Sequence, residues 1–171
     1  MKPNYLTILI TTLCIFFNSC HNSNTAPQLQ LADSLIDKRA DSALCILEKL
    51  SIEEISNKSA KAMYALLLTE ALDKNFKSHR NDSLILIAVD YYKDNSNNKL
   101  KTKAYYLGRV YQDNKEYIKA TEAYLTALKT ASPNQAPILQ IYNNLALCYE
   151  SQEFYLPAIK TYKESYATAE K

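Results

Sequence analysis

Few residues of this 171-residue chain have the type and spacing that carry bond-making chemistry. There are two histidines, His21 and His79, and four cysteines, Cys14, Cys20, Cys45 and Cys148. A zinc protease needs His-Glu-x-x-His on one helical face, a zinc finger needs paired Cys-x-x-Cys, and a hydrolase elbow needs Gly-x-Ser-x-Gly. None of these strings occurs. Cys148 with His79 would make a thiol and a base, but nothing in the sequence brings them together. Cys45 and Cys148 each sit in an apolar helical stripe, beside Leu44 and Leu47 and beside Leu145 and Leu147, and both read as small buried hydrophobes. The carboxylate pairs Glu53-Glu54 and Asp33/Asp37 read as solvated groups at helix ends, where negative charge suits a helix N-terminus. The expectation is a protein with no catalytic residues, no metal and no cofactor.

Cys20 stands in a different context. Met1-Lys2-Pro3-Asn4 is a short positive start, and Tyr5 to Phe17 is apolar apart from Thr7, Thr11 and Thr12. That run is shorter than the roughly 18–20 residues that span a bilayer, and it fits the core of a signal peptide. Ser19-Cys20 closes it, followed by the polar stretch His21-Asn22-Ser23-Asn24-Thr25. This arrangement resembles a bacterial lipoprotein signal, which implies cleavage before Cys20 and lipid on its sulfur. The alternative is an ordinary secretory signal. Phe17 and Asn18 depart from the usual residues of that motif.

The elements behind this leader are helical by composition and period. The chain has one glycine, Gly108, no tryptophan and fourteen tyrosines. Phosphate-cradling loops and tight hairpins depend on glycine, so one glycine argues against them. A net charge of +2 is too small for a nucleic-acid footprint. Apolar spacing predicts helices over Gln28 to Asp37, from Ala43 with Asp41-Ser42 as N-cap, and from Ser59 as cap through Leu72. A fourth follows Asp82-Ser83. Four more run from Leu100 to Asp113, Tyr117 to Ala131, Pro137 to Gln152 and Leu156 to Glu170. Pro157 fits the first turn of the last helix.

The last four helices repeat. Leu107, Gly108, Tyr111, Ala120, Tyr124 and Ala127 recur 38 residues later as Leu145, Ala146, Tyr149, Ala158, Tyr162 and Ser165. Self-similarity at such a period marks a stacked array, whose units bury their apolar faces only against neighbours. Gly108 and Ala146 allow close helix approach, opposite the small Ala120 and Ala158, while tyrosines fill the gaps between layers.

These units resemble the tetratricopeptide repeat: Ala104, Leu107-Gly108 and Tyr111 on a first helix, then Ala120, Tyr124 and Ala127 on a second, with Pro133 near the terminal position. The second copy reads Tyr142, Leu145-Ala146, Tyr149, Ala158, Tyr162 and Ser165. Four residues beyond the usual period fall around Gln135 to Ile138. Ala62, Leu66 and Thr69 with Ala88 and Tyr92 form a degenerate earlier unit. The resemblance implies an all-α, right-handed helical solenoid of about four antiparallel helix pairs. Residues 1–19 are then a signal peptide, 20–27 a polar tether, 28–98 degenerate repeat-like helices and 99–171 two clear repeats.

The layout also looks like the tetratricopeptide-repeat lipoproteins and sensors of Bacteroides-type bacteria, through phrases such as Ala40-Asp41-Ser42-Ala43-Leu44 and Asp82-Ser83-Leu84-Ile85. What that implies is a lipid-anchored scaffold facing the periplasm, with the outer membrane as its site, binding a protein or peptide and no nucleic acid. The alternative is the sensory input part of a larger regulator. The repeat helix running directly to Lys171 then implies further sequence or a partner over the last layer. By the repeat's frame the concave wall comes from first helices, at Met63, Leu67 and Glu70, at Tyr105, Arg109 and Gln112, and at Asn143, Leu147 and Glu150. The Lys and Asn of the carboxylate clamp are replaced by Tyr105 and Arg109, and a further Lys by Gln140, so a chaperone-tail ligand is not expected.

Overall fold

The computed structural model describes residues 25–79, 82–92, 99–130 and 137–170. The signal peptide, Cys20, most of the tether and Pro133 lie outside the described residues. Eight α-helices are described: α1 (Ala26–Leu35), α2 (Ala40–Leu47), α3 (Lys58–Lys74), α4 (Ser83–Tyr92), α5 (Lys99–Asp113), α6 (Tyr117–Thr130), α7 (Pro137–Ser151) and α8 (Tyr155–Ala169). Consecutive helices pack as pairs, and first helices of successive pairs also touch, α1 with α3, α3 with α5 and α5 with α7. That ladder of first helices is the inner wall on which the repeat's frame sets the expected groove.

Several helix starts differ from the sequence reading, for local reasons. Ala26 and Pro27 open α1 and do not belong to the tether, because proline near the first helical position loses no hydrogen bond. α2 begins at Ala40, with Asp41 inside its first turn and no side-chain cap. For α3 the cap is Asn57 and not Ser59: the Asn57 side chain accepts the Ala60 N–H at 3.0 Å. The segment between α2 and α3 contains a 3-10 turn (Ile52–Glu54) and buries Ile55.

Three helix hairpins turn in the same way without glycine. Phe76, Lys115 and Glu153 all adopt positive φ, at 55°, 61° and 62°. At each site the following N–H reaches back to the carbonyl five residues earlier: Lys77 to Leu72, Glu116 to Tyr111 and Phe154 to Tyr149, at 2.8 to 2.9 Å. These are Schellman caps, which satisfy the last carbonyls of α3, α5 and α7. Lys115 and Glu153 are equivalent in the two clear repeats. The one glycine serves side-chain packing, not a turn.

The core has two parts meeting at α3. Ala62, Ala65 and Leu66 face a C-terminal cluster built around Ile85, Tyr106, Val110, Tyr124, Ile141 and Cys148. Tyr64, Leu67 and Ala71 face an N-terminal cluster with Leu29, Ala32, Leu44, Leu47 and Ile55. Cys148 is buried, as its apolar stripe implied. Cys45 is exposed and corrects the same expectation, because α2 turns Ala43, Leu44 and Leu47 inward and Cys45 falls on the other side.

Candidate partner-binding groove

The inner wall carries a hydrogen-bonded charge network between α3 and α5. Arg109 Nε donates to Asp73 Oδ1 at 2.6 Å, and its NH1 donates to Gln112 Oε1 at 3.2 Å. The same Gln112 oxygen accepts the Tyr124 hydroxyl at 2.7 Å. Arg109 NH2 lies 3.8 Å from Asp113. Burial opposes the Arg109 charge, but the Asp73 carboxylate outweighs it and holds the guanidinium above its ordinary range. Next to Asp73 on α3, Lys74 bridges Glu70 at 3.0 Å and Asp37 at 2.5 Å. Burial raises the Glu70 carboxyl, with its hydrogen bonds to Lys74 and Tyr106 pulling the other way.

The tyrosines behind this network are core residues. Tyr105 and Tyr106 meet edge to face at 5.0 Å, and the Tyr105 ring lies 6.0 Å from Tyr124. Burial pushes the Tyr105 phenol up to about 12, and the phenols of Tyr106 and Tyr124 also rise through burial. The Asn144 amide donates to the Tyr105 hydroxyl at 3.3 Å, tying α7 to α5.

His79 is a clamp. Its loop between α3 and α4 is buried at the imidazole, whose Nδ1 lies 2.7 Å from Asp113 Oδ2 and whose Nε2 lies 3.2 Å from the Thr69 carbonyl oxygen. The His79 backbone N–H donates to the same carboxylate. Its ring is thus committed to Asp113 and Thr69, while burial pushes the Cys148 thiol up to about 11, where little thiolate exists at neutral pH.

Close packing beneath the network carries the repeat's signature. A Cβ added at Gly108 would sit 2.5 Å from Tyr124 Cε1, so α6 approaches α5 there as only glycine allows. Residues 101–171 match the tetratricopeptide repeat family. The fold likeness reaches beyond that span. Two crystal structures of MamA superpose on 86% of this chain. One does so with a TM-score of 0.56 and 22% identity over 74% of its own length, the other with 0.57 and 21% over 79%. At that identity the likeness is one of fold. No curated protein matches the chain by sequence. The protein is an all-helical, tetratricopeptide-like array.

Within that array the expected groove residues separate into three groups, with Leu67 falling in the core. Met63 lies apart, lining a cleft of about 620 Å³ with Thr25, Leu29, Glu54 and Asn57 at the N-terminal end. Glu70, Tyr105, Arg109 and Gln112 form or back the internal network. Tyr105 is only 8% exposed, and neighbouring Leu67 is 2% exposed, so both are core and correct their placement on an open wall. The physical reason is the next layer: α7 covers α5, and α1 with the 3-10 turn closes over α3. Asn143, Leu147 and Glu150 remain exposed at one-turn spacing along α7. Asn143 Oδ1 accepts the Ser165 hydroxyl at 2.8 Å, and Glu150 accepts the Tyr162 hydroxyl at 3.2 Å, so α8 orients both.

The layer-joining roles of Asp37, Asp73, Asp113, His79 and Asn144 are absent from the sequence reading. A signal for them exists. The polar pairs that join layers are separated by about one repeat: His79 and Asp113 by 34, Arg109 and Asp73 by 36, Lys74 and Asp37 by 37, Asn144 and Tyr105 by 39. Complementary polar residues one period apart are what a search should seek.

Proposed function

We propose that this protein is a lipid-anchored scaffold of the cell envelope that holds a protein or peptide partner along its inner wall, with no catalytic step. The tetratricopeptide match supports a protein-binding role, and the Ser19-Cys20 junction supports the anchor and a periplasm-facing array at the outer membrane. The observation that carries the reading is the open face of α7. Asn143, Leu147 and Glu150 present an amide, an apolar surface and a carboxylate at one-turn spacing on one helix. An exposed Leu flanked by oriented polar groups suits an extended peptide with an apolar side chain and a donor group nearby.

Two measurements test it. In a displayed peptide library, binders selected by the wild type should lose at least tenfold in affinity to Leu147→Asp/Glu150→Lys, whose side chains leave the core untouched. Undiminished binding by that variant, with helical circular dichroism retained, would move the site elsewhere. For the anchor, metabolic labelling with a fatty-acid probe should mark the wild type and not Cys20→Ala. Equal labelling of both would remove the lipoprotein reading and leave the scaffold reading intact.

A further inference from the structure

We propose that His79 is a proton-controlled latch: an imidazolium that fastens the α3–α4 connection to α5 and loosens it as the pH rises. The donors decide the charge. Both ring nitrogens face oxygen acceptors, Nδ1 the Asp113 carboxylate at 2.7 Å and Nε2 the Thr69 carbonyl at 3.2 Å. A neutral imidazole has one N–H and one bare lone pair, so it can donate to only one of these oxygens. Its other nitrogen would then turn a lone pair toward an oxygen, in a side chain only 3% exposed. With a proton on each nitrogen, both contacts become donations.

The charges around the ring agree. Asp73 of α3 and Arg109 and Asp113 of α5 form one sheltered group. Two carboxylates and one guanidinium leave a negative charge over, and a charged His79 cancels it. Among the described residues the neighbouring charges are engaged elsewhere. Lys77, in the same connection, pairs with Glu48, Lys74 pairs with Glu70 and Asp37, and Asp82 lies toward Tyr111 and Lys119. Asp113 is also the last residue of α5, and a helix C-terminus favours a cation beside it.

The latch reaches the inner wall. Asp113 Oδ2 accepts the His79 backbone N–H as well, at 3.2 Å, while Oδ1 faces Arg109, which holds Asp73. The Nε2 proton is the one lost to water, because a carbonyl holds it less strongly than a carboxylate holds the other. The ring then drops its donation to Thr69 and meets Asp113 as a neutral donor, leaving that carboxylate one positive neighbour fewer. The sign follows from linkage. An unfolded chain's histidine is charged below about pH 6.5, so the latch contributes in full there and contributes less as the pH rises above it. None of this depends on a partner in the groove.

Nitrogen-15 spectra of the His21→Ala protein, whose one imidazole is His79, should show a proton on both ring nitrogens at about pH 7, where free histidine is mostly neutral. One bare nitrogen at that pH overturns the proposal. Native-state hydrogen exchange, corrected for intrinsic rate, should show protection of the His79 amide falling about tenfold from about pH 6 to about pH 9, with α7 amides unchanged. His79→Gln cannot take the charge, so its residue-79 amide should be less protected at the acid end and show no such fall. Level protection in the wild type, or a fall that persists in His79→Gln, equally overturns it.

Discussion

Gly108→Ala lowers the unfolding free energy by about 1–3 kcal/mol, although alanine in place of a mid-helix glycine ordinarily adds up to ~1 kcal/mol. The sign reverses because of one neighbour. The new methyl would meet Tyr124 Cε1, Cδ1 and Cζ at 2.5, 2.6 and 2.8 Å, closer than real carbon contacts come. Tyr124 is fully buried, and its hydroxyl is held by Gln112, so the ring cannot step aside without giving up that hydrogen bond. Gly108→Val should cost more still. The control is Tyr124→Leu: it costs stability by itself, through the cavity it leaves, yet in its background Gly108→Ala should become neutral or stabilising. Urea denaturation followed by circular dichroism reads all four corners of the cycle. An unconditional gain from Gly108→Ala would mean that α5 and α6 are not in close contact here.

Breaking the Arg109–Asp73 pair comes next in size. Arg109→Met leaves the Asp73 carboxylate, with 12% side-chain exposure, without its cation. A loss of about 3 kcal/mol is expected, since an unpaired, largely buried charge is costly. Asp73→Leu combined with Arg109→Met should regain much of that loss, giving a coupling energy of about 2 kcal/mol or more. Because the pair is partly sheltered, raising salt should change this coupling little, unlike a surface ion pair. A coupling near zero would reduce Arg109 to ordinary surface. The result also governs how groove variants are read: an Arg109→Ala protein that loses a partner has lost part of its fold as well.

The architecture was legible because packing repeats. The repeat assigns Gly108 to close helix contact opposite Ala120 and Tyr124 to the gap between layers; in the structure it is the Tyr124 ring that lies over Gly108. The fold followed from small residues and tyrosines that each repeat must place at the same positions. Cys45 and the cap of α3 were misplaced, since an isolated apolar residue on a short helix, or one of several neighbouring polar residues, leaves the local register open. The groove was less legible for another reason. The repeat frame locates a wall, but whether a wall position is open depends on the layer above it. Tyr105 and Leu67 occupy wall positions and are covered, whereas Leu147 occupies one and is open. Sequence patterns within one helix carry no information on that covering. The pairs one period apart, such as Asp73 with Arg109, do carry it.

α3 belongs to both cores at once, giving Ala62, Ala65 and Leu66 to one side and Tyr64, Leu67 and Ala71 to the other. In mechanical terms it is a bulkhead. Tension entering at the N-terminal end can peel α1 and α2 away by opening the N-terminal cluster alone, but the tear meets α3 while its other face is still seated. To pass, it must also break the Arg109–Asp73 and His79–Asp113 ties that lash α3 and its following loop to α5. A chain tethered at that end would yield first in its two leading helices and keep the face of α7 in shape.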